Sequence, residues 1–182
     1  MAEAIPHEPH IWSDFIYRGS IAPVAIPDWF LEPISNFASS VVHETNWCGL
    51  WQADFLLPGN ELYLLEINPR WTASMELISY GYDLPLVSWH LGCVQPKRSE
   101  WNRIRMHVEK AQKQGFYAFR KNVLYAKVHR SVTAREAQEW WEGRWFASKN
   151  EKANMWYADI PHVHEKLIEG APVHSLIERL VS

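Results

Sequence analysis

The sequence predicts an α+β fold built on a mainly antiparallel sheet. Three observations carry this: a single apolar stripe from Ile34 to Val42, strand-like runs on either side of Pro58-Gly59-Asn60, and a tail of short apolar runs broken by Gly170 and Pro172. The 182 residues, 47% of them apolar, suffice for one sizeable core or one core and a small satellite.

Residues 1–10 lack periodicity and read as an extended lead-in; Ile11 to Ile16 reads as a strand, and Arg18-Gly19-Ser20 with Pro23 and Pro27 as a loop. The clearest helix follows, over 28–44. Ile34, Phe37, Ala38, Val41 and Val42 share one face, Asp28 is the candidate N-cap, and Pro33 is tolerable only in the first turn. Gly49 to Leu57 and Glu61 to Ile67 make a hairpin. With residues 58–62 as its loop, Leu57 lies opposite Tyr63, which puts Asp54 opposite Glu66 on one face, and Asn68 shares that face two residues on.

Helices are expected from Thr72 to Ser79, ended by Gly81, and from Leu84 to Leu91, ended by Gly92. The polar run Gln95 to Glu100 marks a boundary, and 101–114 is charged and mildly helical. Asn122 to Val128 reads as a strand, and Thr133-Ala134-Arg135-Glu136 as a capping box opening a helix that ends near Gly143. The organisation read from this is 1–94, a polar insertion over 95–115, and a small α+β, β-rich part over 116–182.

Charge narrows the function. Lys and Arg number 18 against 21 Asp and Glu, which speaks against an electrostatic grip on nucleic acid or an anionic membrane. No apolar run approaches the roughly 20 residues of a membrane span, and Met1 to His10 lacks the features of a secretory signal. A cytoplasmic chain is the expectation. Cys48 and Cys93 read as reduced, buried thiols. The 11 tryptophans are spread along the chain and read as core and packing residues, with a partner surface at Trp140, Trp141 and Trp145 as the alternative.

The chemistry concentrates in Gly49-Leu50-Trp51-Gln52-Ala53-Asp54-Phe55 and Leu64-Leu65-Glu66-Ile67-Asn68-Pro69-Arg70. Two carboxylates and an amide oxygen on one hairpin face are hard ligands of the kind that hold Mg²⁺, with water and phosphate oxygens completing the shell. Arg70, just beyond them, offers a fixed fork of donors suited to phosphate or acyl phosphate. Together they suit stabilisation of charge on a transferring phosphoryl group.

These residues resemble the ATP-grasp superfamily, in its C-terminal part. The pattern is a Gly-Leu pair, an acidic residue before Phe on a strand, a turn, a strand ending Glu-x-Asn-Pro-Arg, a helix, and His90 on a later helix. The resemblance implies that Asp54, Glu66 and Asn68 bind the metal, Mg²⁺ or Mn²⁺, and that Arg70 contacts the phosphates of ATP or an acyl-phosphate intermediate. It implies ATP-dependent ligation, in which a small-molecule carboxylate is phosphorylated and then attacked by an amine, thiol or other nucleophile. Lys166 to Val173 resembles the small β-rich tail of some members. The lysine-bearing first subdomain of the family has no counterpart in these residues. Two outcomes are expected: the metal-binding half of a ligase, as a fragment of a longer protein or as a subunit completed by a partner chain, or a non-catalytic remnant serving as a binding or interaction module.

Other candidates are weaker. His162 and His164 read as surface histidines, without zinc-like Cys spacing nearby, and His7 and His10 likewise. His90 reads as a packed helix residue, with a catalytic base as the alternative.

Overall fold

The computed structural model describes residues 1–4, 16–92, 117–149 and 154–180, with scattered positions between 102 and 113. The strand expected at Ile11 to Ile16 begins outside the described residues, as do the boundary at Gln95 to Glu100, Cys93, His7 and His10; the described positions among 102–113 are helical. The fold is α+β, as the sequence predicts. The chain divides into two compact units, residues 25–116 with Met1, and residues 2–24 with 117–182.

In the first unit, helix α1 spans Asp28–Thr45. Pro27, not Asp28, is the capping residue and makes no side-chain cap; Asp28 instead sits in the first turn, where a carboxylate favours the positive end of the helix dipole. Pro33 lies in the second turn, not the first, and gives up the hydrogen bond a normal residue there would donate one turn back. The helix tolerates it on its exposed side. Asn46, left-handed at φ 54°, closes the helix with its N–H on the Val42 carbonyl at 2.9 Å.

Strands β3 (Gln52–Leu56) and β4 (Tyr63–Asn68) form the hairpin. One face carries Trp51 and Phe55, which meet Phe37 of α1 edge-on at 6.2 and 5.4 Å between centroids, while Phe30 reaches Phe55 at 6.1 Å. That apolar contact commits the alternate residues, Gln52, Asp54, Glu66 and Asn68, to the other face. Helices α2 (Ala73–Tyr82) and α3 (Leu86–Gly92) follow. Met75, Leu84 and Leu86 form their core, with Trp71 and Trp89 packed against it. Gly81 is inside α2, and Asp83 at φ 52° is the left-handed cap that the sequence reading assigned to Gly81.

The second unit is a five-stranded antiparallel sheet of β1 (Glu3–Ala4), β2 (Gly19–Ala22), β5 (Phe119–Tyr125), β9 (Pro172–Arg179) and β7 (Met155–Ala158), in the order β1-β2-β5-β9-β7. Gly19 to Ala22 is therefore strand, not loop, because Asn122 to Phe119 supplies its hydrogen-bonding partner. Strand β5 starts three residues earlier than its apolar run predicts for the same reason, its pairing with β2 and β9. Between β5 and β7 come β6 (Arg130–Ser131) and helix α4 (Ala134–Lys149); β6 pairs with β8 (Lys166–Leu167). Helix α4 continues past Gly143, whose missing side chain lets the Tyr157 ring approach. Lys121 is buried, and its ammonium is held by Asp159 at 2.7 Å, which also accepts from Ser175 Oγ at 2.7 Å.

Trp140 packs on the core of Ala126, Val132, Ala137, Leu167 and Val173, whereas Trp141 is 47% exposed. Cys48 is exposed, contrary to expectation, because it lies on the exposed segment that follows the α1 cap. Among the described residues no helix is long and apolar enough to cross a membrane.

Candidate functional site

All four residues singled out by the sequence come together at the end of the hairpin. Asp54 pairs with Glu66 and Gln52 with Asn68 in the β3–β4 register. The alignment arises by a route different from the expected one. Leu56, not Leu57, lies opposite Tyr63, and Phe55 lies opposite Leu64, so the loop is one residue longer at its β3 end. A register shift between Asp54 and Phe55 absorbs Leu65 as the extra residue of a bulge and returns Asp54 to Glu66.

Asn68 ties the carboxylates together. Its Nδ2 donates to Glu66 Oε1 at 2.8 Å and to Asp54 Oδ2 at 3.4 Å, while its Oδ1 accepts from Arg70 Nη2 at 3.1 Å. Arg70 Nη1 also donates to the Trp71 carbonyl at 3.3 Å. Behind Asp54 runs a second chain of contacts that the sequence reading missed. The Thr72 hydroxyl donates to Gln52 Oε1, and Gln52 Nε2 donates to Asp54 Oδ1 at 2.5 Å. Gln52 lies two residues before Asp54 on the same strand face, and that period-two spacing was the available signal. Thr72 is buried at the entry to α2, yet its hydroxyl serves Gln52 and makes no cap.

The electrostatics are asymmetric. Burial raises the Asp54 carboxyl above the usual range, the Gln52 donor works against that rise, and the neighbouring Glu66 charge adds to it. Glu66, exposed, is held below its usual range by the Asn68 donor and then by its contact with Asp54. Asp54 is thus the member that keeps a proton longer as pH rises.

The donor set fits a hard divalent cation. The electropositive end of the Asn68 amide bridges Asp54 and Glu66, so the space between the carboxylates already draws a positive partner. Among the described residues no group of three or more His, Cys, Asp and Glu is placed to hold a metal. Any such site here therefore rests on two carboxylates and the Asn68 amide oxygen, a set for Mg²⁺ or Mn²⁺ more than for zinc. His90 lies in the same unit, and its Nδ1 accepts the Leu50 N–H at 3.0 Å.

Residues 4–74 match the family model of the ATP-grasp domain, a span that contains Asp54, Glu66, Asn68 and Arg70. The resemblance to the ATP-grasp superfamily is thereby borne out over that segment. The match indicates an ATP-dependent, ligase-type family whose members generally bind ATP and Mg²⁺. No curated protein matches the chain.

Proposed function

We propose that this chain is the metal- and phosphate-binding half of an ATP-dependent carboxylate ligase that works through an acyl phosphate. The observation that carries the reading is the convergence of Asp54, Glu66, Asn68 and Arg70 on one hairpin face within the ATP-grasp match. Asp54, Glu66 and Asn68 would hold Mg²⁺ or Mn²⁺, whose charge offsets that of the nucleotide phosphates. Arg70 presents donors to a phosphoryl or acyl-phosphate oxygen. The Thr72–Gln52 chain holds the Asp54 carboxylate in its orientation.

A nucleotide-binding subdomain from another segment or another chain would complete the site, and a small-molecule carboxylate would be the acceptor of the phosphoryl group. Exposed apolar side chains at the hairpin tip support a covering partner: Leu56, Leu57, Tyr63, Leu64 and Leu65 are all at least 40% exposed. The same surface favours a second reading, a non-catalytic ATP-grasp remnant used as an interaction module.

Calorimetric binding of ATP with Mg²⁺ to the purified chain separates the two. Saturable, metal-dependent binding lost in Glu66→Ala and Asn68→Ala is the result expected of the ligase half. No binding, either alone or with a candidate partner chain, would leave the interaction module.

A further inference from the structure

Asn68 is the side chain through which the carboxylates and Arg70 communicate. Its Nδ2 faces Glu66 Oε1 at 2.8 Å and Asp54 Oδ2 at 3.4 Å, and its Oδ1 faces Arg70 Nη2 at 3.1 Å. This orientation is forced by the partners. Ionised carboxylates only accept and a guanidinium only donates, so the amide satisfies both sides in one arrangement and neither in the reverse.

A hard cation between Asp54 and Glu66 needs an oxygen from Asn68, and the amide has one. That oxygen is already committed to Arg70. We infer that the Asn68 amide is a two-position latch: without metal it bridges the carboxylates and holds Arg70, and with a divalent cation bound it turns over and releases the guanidinium. The inference rests on the metal-site reading proposed for the same residues and adds its regulation.

The consequences follow from hydrogen-bond polarity. With the amide turned, its NH₂ would face the Arg70 Nη2, donor against donor, and among the described residues the guanidinium would keep the Trp71 carbonyl at 3.3 Å as its hydrogen-bond acceptor. Arg70 is then available to an anion. Coupling of this kind is reciprocal, so an anion that draws Arg70 away frees the amide to turn and favours the cation. Metal and phosphoryl oxygen would arrive cooperatively through a side chain that need not touch both.

Replacing the amide by a carboxylate breaks the latch. Asn68→Asp has two oxygens, one for Arg70 and one for a cation, so nothing needs to turn. The experiment uses the full chain labelled with ¹⁵N and Mg²⁺ alone as titrant. The Asn68 side-chain amide pair is assigned by its absence in Asn68→Asp, and the Arg70 Nε–H by its absence in Arg70→Lys. In the wild type, both signals move with one midpoint, the midpoint given by calorimetry. In Asn68→Asp, with its spectrum otherwise dispersed as in the wild type, Mg²⁺ binds on the order of 10-fold tighter and the Arg70 signal stays in place.

Two results overturn the inference and differ in what else they remove. Saturable Mg²⁺ binding, abolished by Glu66→Gln, with the wild-type Arg70 signal unmoved would end the latch and leave the metal site intact. No saturable Mg²⁺ binding, or binding indifferent to Glu66→Gln, would end both.

Discussion

Asp54 stands directly opposite Glu66 across the hairpin, and the two carboxyls leave their ordinary range in opposite directions, Asp54 upward and Glu66 downward. Neighbouring acids divide in this way when one is partly buried and the other is exposed beside a good donor. The exposed Glu66 is the resident negative charge of the face, and Asp54 is the group whose ionisation a positive partner would promote. Four consequences of the architecture of the two units, each taken by itself, are open to measurement.

Thr72→Val keeps the shape of the side chain and removes its hydroxyl, leaving the Gln52 oxygen without its donor in a half-buried setting. The expected cost is about 0.5 to 1.5 kcal/mol in urea unfolding. Thr72→Ser, which keeps the donor, should retain most of that stability. Equal loss in both variants would mean that packing, not the hydroxyl, holds this position.

His174 lies between the Trp140 ring at 4.6 Å and the Tyr157 ring at 5.1 Å, with its Nδ1 buried and, among the described residues, without a hydrogen-bond partner. Burial lowers its pKa, the Ser175 backbone opposes the fall, and the Arg130 charge reinforces it. The native state therefore binds its proton less readily than the unfolded chain does. Stability present above the unfolded value of about 6.5 should decline as pH falls below it, levelling only below the depressed native pKa. Melting temperature followed from pH 8 to 5 should show this decline, and His174→Phe should flatten it over that window.

The start of α4 is a reciprocal cap. Thr133 Oγ1 accepts from the Glu136 N–H at 3.2 Å, and Glu136 Oε2 accepts from the Thr133 N–H at 3.0 Å and from its hydroxyl at 2.8 Å. Thr133→Ala should cost roughly 1 kcal/mol, within a range of about 0.5 to 2, by chemical denaturation. Glu136 is held below its usual range chiefly by the Thr133 backbone donor, with Arg130 assisting. Its contribution is accordingly present above pH about 4.5 and lost as pH falls through the depressed native value. Glu136→Gln should lessen the acid sensitivity of the second unit.

Gly143→Ala should destabilise, although alanine is the better helix former by about 1 kcal/mol. An added Cβ would stand 2.7 and 2.9 Å from Tyr157 Cδ2 and Cε2, closer than atoms can sit, and the ring must yield. Overpacking of this kind costs about 1 to 3 kcal/mol. Thermal unfolding of Gly143→Ala beside Gly143→Ala/Tyr157→Leu tests it: the smaller residue should recover the loss, and an unchanged double variant would place the fault in the helix itself.

What the sequence disclosed, it disclosed through local period and polarity. The α1 helix and the Thr133 cap need only neighbouring residues, and both formed over the positions read, although Val42 of the α1 stripe is exposed. Asp54 and Glu66 were correctly paired from an incorrect loop, because the extra residue at the β3 end of the turn and the bulge at Leu65 offset each other. No local signal announces a bulge in a run such as Leu64-Leu65-Glu66. Gly81 and Gly143 looked like helix ends, yet each lies inside a helix: Gly81 is buried, and Gly143 admits the Tyr157 ring. Gly19 to Ala22 was hidden for the opposite reason, since its strand character comes from Phe119 to Asn122, far along the chain.

That long-range pairing bears on the order in which the protein can assemble during synthesis. β2 emerges from the ribosome early, but its neighbour β5 and then β9, which lies on β5's other edge, follow only after the whole of residues 25–116. The first unit can nucleate on contacts made within itself, while β2 waits with an open edge. Because closing a long loop costs entropy that grows only slowly with length, the delay is one of time more than of stability. A nascent chain halted before Pro172 would therefore display β5 with one edge bare, the state in which this protein is most exposed to pairing with the wrong strand.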